Sequence, residues 1–136
     1  IQSIVNLSKM LIKKYKIKSK NILGHSDVAP YRKKDPGEKF PWKELAKKRI
    51  GLWHSISSKR LKKNREIRVD KNSEEIFYNN LFKIGYNIKK LNTFKNRKYK
   101  KDIVKAFQRR FRQELINGWI DKECLIISNN LIKKFK

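Results

Sequence analysis

Apolar residues recur at helical spacing in several separate stretches, with polar, basic or proline-containing segments between them. In residues 1–15, Ile1, Ile4, Val5, Leu11, Ile12 and Tyr15 fall near one face, which predicts an amphipathic helix. The pattern opens with no N-cap ahead of it. Residues 16–20 read as a polar loop, and Asn21 to Gly24 (NILG) as a short buried strand. All three prolines, Pro30, Pro36 and Pro41, lie in the next stretch, which predicts an ordered loop. Pro41 suits the first turn of a short helix with Trp42, Leu45 and Ala46 inward and Gly51 as its stop.

Residues 54–72 are polar and basic and read as a linker leading to a second unit. Helical spacing then returns. Asn72 and Glu75 stand at capping-box distance, Phe77, Leu81 and Ile84 form an apolar stripe, and Gly85 ends it. A basic connection over 86–100 precedes a helix over 101–112, with Ile103, Val104, Phe107 and Phe111 inward. An Asn117–Gly118 turn leads to Asp121, a good N-cap, and to a third helix with Cys124, Leu125, Leu131 and Phe135 as core candidates. Such a three-helix bundle lies near the lower size limit for a stable domain.

Composition changes the picture in one respect. The net charge is +25, carried by 37 basic against 12 acidic residues. A charge of this size favours a polyanionic partner, nucleic acid or an envelope polymer alike. Lysine outnumbers arginine 28 to 9, a bias that an AT-rich coding sequence produces without functional demand. The basic residues are also spread along the chain, which speaks against a specific nucleic-acid reader. Arg109, Arg110 and Arg112 read as a solvated basic face. The lone cysteine, Cys124, excludes an internal disulfide and any CxxC motif and reads as a small core residue. No stretch has the length and apolarity of a membrane span.

The run from Gly24 to Trp42 carries the candidate chemistry. His25 and Asp35 are zinc-ligand types, with Lys33 between them. Alone, His25 reads as an ordinary histidine, Asp35 as a turn residue before Pro36-Gly37, and Lys33 as one solvated lysine among many. Together they suit a hydrolytic zinc site, where a cation near the metal stabilises an oxyanion. A catalytic zinc usually takes three protein ligands. The other histidine, His54, lies in a polar segment and reads as an exposed residue at a domain edge. Asp27 reads as ordering the loop through short backbone hydrogen bonds.

Gly24-His25-Ser26-Asp27-Val28-Ala29-Pro30, Arg32-Lys33, Asp35-Pro36-Gly37 and Phe40-Pro41-Trp42 together resemble the zinc-dependent N-acetylmuramoyl-L-alanine amidases of the type-2 family. The resemblance implies Zn2+ as cofactor, His25 and Asp35 as metal ligands and Lys33 as a catalytic residue. It places the first zinc histidine and the catalytic glutamate in a part preceding this chain, which is then a C-terminal fragment, inactive alone. It implies an α/β fold for residues 1–53: helix, strand, metal loop and short helix, the remnant of a mixed sheet flanked by helices. Having lost its sheet partners, that remnant is expected to pack poorly.

Leu81 to Tyr86, Val104 to Arg112 and Asn117 to Asp121 resemble the three-helix peptidoglycan-binding domain attached to cell-wall hydrolases. The expected organisation is an amidase remnant over 1–53, a linker over 54–71 and an all-α three-helix bundle over 72–136. Tyr86, Gln108, Arg112 and Trp119 are the candidates for glycan or peptide contact. The implied function is hydrolysis of the amide between N-acetylmuramic acid and L-alanine in bacterial peptidoglycan or muropeptides, in the periplasm or at the outer membrane. The alternative is a non-catalytic peptidoglycan-binding protein.

Overall fold

The computed structural model describes residues 1–88 and 97–135. Its helices run in the order α1 (Gln2–Tyr15), α2 (His25–Val28), α3 (Trp42–Lys47), α4 (Ser58–Asn64), α5 (Lys71–Ile84), α6 (Arg97–Phe111) and α7 (Lys122–Lys134), with a 3-10 turn over Ser19–Asn21. Among the described residues there is no strand, only an isolated bridge between Arg68 and Asp121. The α/β expectation for residues 1–53 is therefore corrected: the described chain is all-helical. The reason lies in the pairing. Ile22 and Gly24 have extended backbones, but side chains take their polar groups. Arg110 Nη2 donates to the Ile22 carbonyl at 3.1 Å, and the Gly24 N–H donates to Asp27 Oδ2 at 2.8 Å. An extended segment with no neighbouring strand is not a sheet element.

The main core forms where α5, α6 and α7 bring their apolar stripes together. Phe77, Leu81, Ile103, Phe107, Ile127 and Leu131 are at most 1% exposed. Phe77 meets Phe107 edge-on at 5.0 Å between centroids, a favourable aromatic geometry. Local chemistry sets the helix ends. Asp70 caps α5 by accepting from the Ser73 N–H, two residues before the expected Asn72. Gly85 closes α5 at φ 109°, in the left-handed region that glycine enters without steric cost. Asp121 caps α7 by accepting from the Cys124 N–H. Cys124 is buried, and burial pushes its thiol up to about 12, so it is an inert core residue.

Three expectations about the middle of the chain give way. The stretch read as a linker contains α4, whose Leu61 is buried in the main core. His54 is buried, not exposed, and stacks beside Trp53 with ring centroids 5.0 Å apart. Burial, then the charges of Lys134 and Lys43, lowers its pKa to about 4. The basic connection expected over 86–100 gives way to α6 at Arg97, and its residues 89–96 lie outside the described ones.

A second, smaller core joins Val5 of α1, Leu45 of α3 and Ile50. Of the apolar face expected on α1, only Val5 is buried, while Ile1, Ile4 and Tyr15 are exposed. The sparse packing expected of this segment is present on α1. The loop that follows is instead well anchored: Tyr31 stacks on Tyr99 of α6 at 4.4 Å, and Trp53 packs against Phe111.

Candidate functional site

The Gly24–Trp42 loop folds back on itself at its two candidate ligands. α2 carries His25, and the Ser26 N–H donates to the Asp35 carbonyl at 2.8 Å. This backbone bond brings His25 Nδ1 to 3.2 Å from Asp35 Oδ2, with side-chain exposures of 48% and 66%. Gly24 makes the turn possible through close approach: a Cβ there would lie 2.7 Å from Pro36 Cδ. Lys33 sits exposed on the same loop, its N–H donating to the Ala29 carbonyl.

The donor set can be tested against zinc. In a tetrahedral site with metal–ligand bonds of about 2.0–2.1 Å, adjacent donor atoms stand about 3.3 Å apart. The His25–Asp35 separation of 3.2 Å suits two neighbouring corners, and both side chains are open to solvent. Among the described residues, no group of three or more His, Cys, Asp or Glu side chains is placed to hold a metal. His54 is not brought to the pair; it packs against Trp53 instead. His25 and Asp35 are thus the two donor side chains that this loop brings together.

Beneath this loop lies a cluster that the sequence reading only began to see. Asp27 does order the loop, through the Gly24 N–H, but it also accepts from Tyr86 OH at 2.7 Å and from Arg110 Nη1 at 2.8 Å. Asp27 and Arg110 are 5% and 3% exposed. The Arg110 guanidinium lies 3.7 Å from the centroid of the Trp42 ring, a cation–π stack in a desolvated setting. Burial, then the Asp27 charge, holds the Tyr86 phenol well above its ordinary range, so it is a permanent donor.

The other arginines read as a solvated face are buried as well. Arg109 is 7% and Arg112 3% exposed. Arg112 donates to Asp121 and Glu123, and Arg65 binds Glu123 through two further bonds of 2.8 Å. Charge runs read as surface when their partners are remote in sequence. The signal that could have found them is the scarcity of acids: in so basic a chain, Asp121 and Glu123 beside Cys124 were the candidates for internal pairing.

Of the four candidates for glycan or peptide contact, three have internal partners. Tyr86 and Arg112 are held as described. Gln108, fully buried, accepts from the N–H groups of Asn117 and Gly118 and donates to the Trp119 carbonyl. It does for the 117–119 turn what a neighbouring backbone would. Trp119 alone is presented outward, at 70% exposed, with Lys101 Nζ 5.7 Å from its ring. Grooves of about 540 and 380 Å³ flank it, the first reaching Glu66 and Arg68 and the second Tyr78 and Arg97.

No family model matches the sequence. The chain is similar along nearly its whole length to N-acetylmuramoyl-L-alanine amidases. It is 34% identical over 138 aligned positions to the amidase AmiD of Escherichia coli, covering 99% of this chain and 48% of AmiD. A shorter stretch of 41 residues, 30% of this chain and 22% of the relative, is 46% identical to the 1,6-anhydro-N-acetylmuramyl-L-alanine amidase AmpD of Enterobacter cloacae.

Solved structures agree. The complex of Escherichia coli AmiD with anhydro-N-acetylmuramic acid-L-Ala-D-gamma-Glu-L-Lys matches at a TM-score of 0.81 and 32% identity, over 98% of this chain and 51% of that one. AmpDh3 of Pseudomonas aeruginosa in complex with anhydromuramic pentapeptide matches at 0.79 and 28%, over 98% and 52%. The chain spans about half the length of AmiD and of the AmpDh3 chain it matches.

Proposed function

We propose that this chain is part of a bacterial cell-wall hydrolase, a zinc-dependent N-acetylmuramoyl-L-alanine amidase that cleaves the amide between N-acetylmuramic acid and L-alanine. The observation that carries the reading is the His25–Asp35 pair, held at zinc-site spacing on a loop whose whole chain is 34% identical to AmiD. The bound sugar-peptides of the related structures support peptidoglycan fragments as substrate.

On this reading His25 and Asp35 hold two corners of a zinc site, and the third donor comes from outside these residues. The chemistry zinc supplies in such a site is a water nucleophile available near neutral pH. Lys33 is the cation that stabilises the oxyanion formed as the amide carbonyl is attacked. The three-helix unit of α5, α6 and α7 serves peptidoglycan binding, with Trp119 as its outward contact, and the protein acts in the periplasm or at the outer membrane.

The test is hydrolysis of anhydromuramyl-tripeptide by these 136 residues and by the product of the whole reading frame that encodes them. Expected is zinc-dependent release of the peptide by the whole product, lost in Lys33→Ala, and none by the 136 residues alone. Robust hydrolysis by the short chain would overturn the assignment of its missing ligand. Binding of peptidoglycan without hydrolysis by either form would favour a non-catalytic binding protein.

A further inference from the structure

The cluster beneath the ligand loop joins two parts of the chain that are far apart in sequence. Arg110 and Asp27 are separated by 83 residues, and Tyr86 and Asp27 by 59. Asp27 lies on the single-turn helix that also carries His25. Its carboxylate is gripped on both oxygens: Tyr86 OH on Oδ1, Arg110 and the Gly24 N–H on Oδ2. Arg110 holds a second point of the same segment, the Ile22 carbonyl, and stacks on Trp42 at the far end of the loop. One guanidinium therefore spans the segment before the ligand turn, the turn itself and the helix after it.

This arrangement is costly to build. The charges of Asp27 and Arg110 are both removed from water, and Arg110 Nε is buried without a hydrogen-bond partner among the described residues. Buried ion pairs are poor sources of net stability but fix geometry strictly, because each partner is expensive to leave unpaired. The place they fix is the turn at which the Ser26 N–H meets the Asp35 carbonyl, the contact that sets the His25–Asp35 spacing.

We propose that Arg110 and Tyr86 are positioning residues for the metal-ligand pair: through Asp27 they lock the turn that holds His25 against Asp35. The helical unit is then a working part of the ligand loop, and α6 sets its shape. The inference rests on the reading of His25 and Asp35 as zinc ligands.

The test uses the full chain, labelled with ¹⁵N at its two histidines, whose ring resonances report His25 and His54 separately. Zn2+ is titrated into the wild type and into Arg110→Met, Arg110→Lys and Tyr86→Phe, each checked for helical content by circular dichroism. Loss of outer partners of a metal ligand typically weakens binding about ten- to a hundredfold. Arg110→Met is expected to weaken zinc binding at His25 by about tenfold or more and to shift the metal-free His25 resonance. Tyr86→Phe, the mildest change, shifts both in the same direction by less, and Arg110→Lys, which keeps the charge, falls between.

Unchanged zinc affinity and unchanged His25 resonances in the folded variants would overturn the proposal. If Arg110→Met fails to fold, Tyr86→Phe decides by the same readouts. Zinc binding at wild-type His25 with no effect of the variants defeats the brace alone. Absence of any zinc effect on wild-type His25, both in this chain and in the product of the whole reading frame that encodes it, defeats the metal-site reading and the brace with it; where the whole product alone binds zinc, the variants are read there.

Discussion

Replacing Arg112 with methionine removes a guanidinium that is 1% exposed and keeps most of the aliphatic stem. Four contacts go: Asp121, Glu123 Oε2 at 3.3 Å, the Leu115 carbonyl at 2.9 Å and Asn117 Oδ1 at 3.3 Å. Two carboxylates stay behind, Asp121 at 5% and Glu123 at 0% exposed. Removing one partner of a buried ion pair costs about 3–5 kcal/mol. Here the residual partners moderate that cost. Glu123 keeps both bonds from Arg65, and Asp121 keeps the N–H groups of Glu66 and Cys124.

The expected loss is therefore at the lower end, about 3 kcal/mol. Against a typical total of about 5–15 kcal/mol this is a large fraction, and it corresponds to a fall in Tm on the order of 10 °C. Urea melts at neutral pH measure it, alongside co-sedimentation with insoluble peptidoglycan. A loss below about 1 kcal/mol together with a fall in sedimentation would refute the reasoning. It would mean that the guanidinium faces a ligand and not the helix cap.

His54 gives a pH prediction. Its pKa is lowered from 6.5 to about 4 in the folded chain, so as pH falls the unfolded chain takes up the proton first. Its contribution to stability is full above pH 6.5 and is lost between 6.5 and 4. The loss is roughly 2–3 kcal/mol after allowance for its partial solvation. His54→Gln should remove that part of the acid sensitivity in denaturant melts at pH 7 and pH 4.5, and an unchanged difference between the two pH values counts against a buried neutral imidazole. Trp119→Ala should reduce peptidoglycan co-sedimentation several-fold while changing stability by less than about 0.5 kcal/mol, because the ring is largely exposed. Full retention of binding would remove Trp119 from the contact surface.

Features written in neighbouring residues were legible in the sequence. The stop at Gly85, the cap at Asp121 and the Pro41 helix start each depend on one or two residues and their immediate backbone. His25, Lys33 and Asp35 stood out as candidates for the same reason, since they lie within one short motif. What failed was decided at long range. NILG reads as a strand, but a strand exists only with a partner, and here side chains satisfy its backbone. α4 has one buried apolar residue, Leu61, so it shows no stripe. The arginines at 110 and 112 look solvated because their acidic partners are not their sequence neighbours. Those partners come from residue 27, 83 positions from Arg110, and from the cap of the next helix. His54 is buried beside Trp53, whose ring in turn packs against Phe111, another contact that spacing cannot reveal.

The same pairings bear on the meaning of the charge. The buried carboxylates Asp27, Asp121 and Glu123 are matched internally by Arg110, Arg112 and Arg65. These contacts are close to neutral as a group, so they contribute almost nothing to the net charge of +25. The field of that charge extends about 8 Å at physiological ionic strength and raises the encounter rate with any polyanion. It does not select among them: a DNA phosphate and a stem-peptide carboxylate feel the same attraction. Selection has to come from groups with fixed geometry, and on the proposed reading two serve, the His25–Asp35 pair and the outward Trp119 between its grooves. Both are held by buried polar side chains, Asp27 with Arg110 in the one case and Gln108 in the other. The buried charge and amide in α6 thus orient the two places that the proposed function assigns to sugar-peptide recognition, while exposed lysines favour the approach of any polyanion.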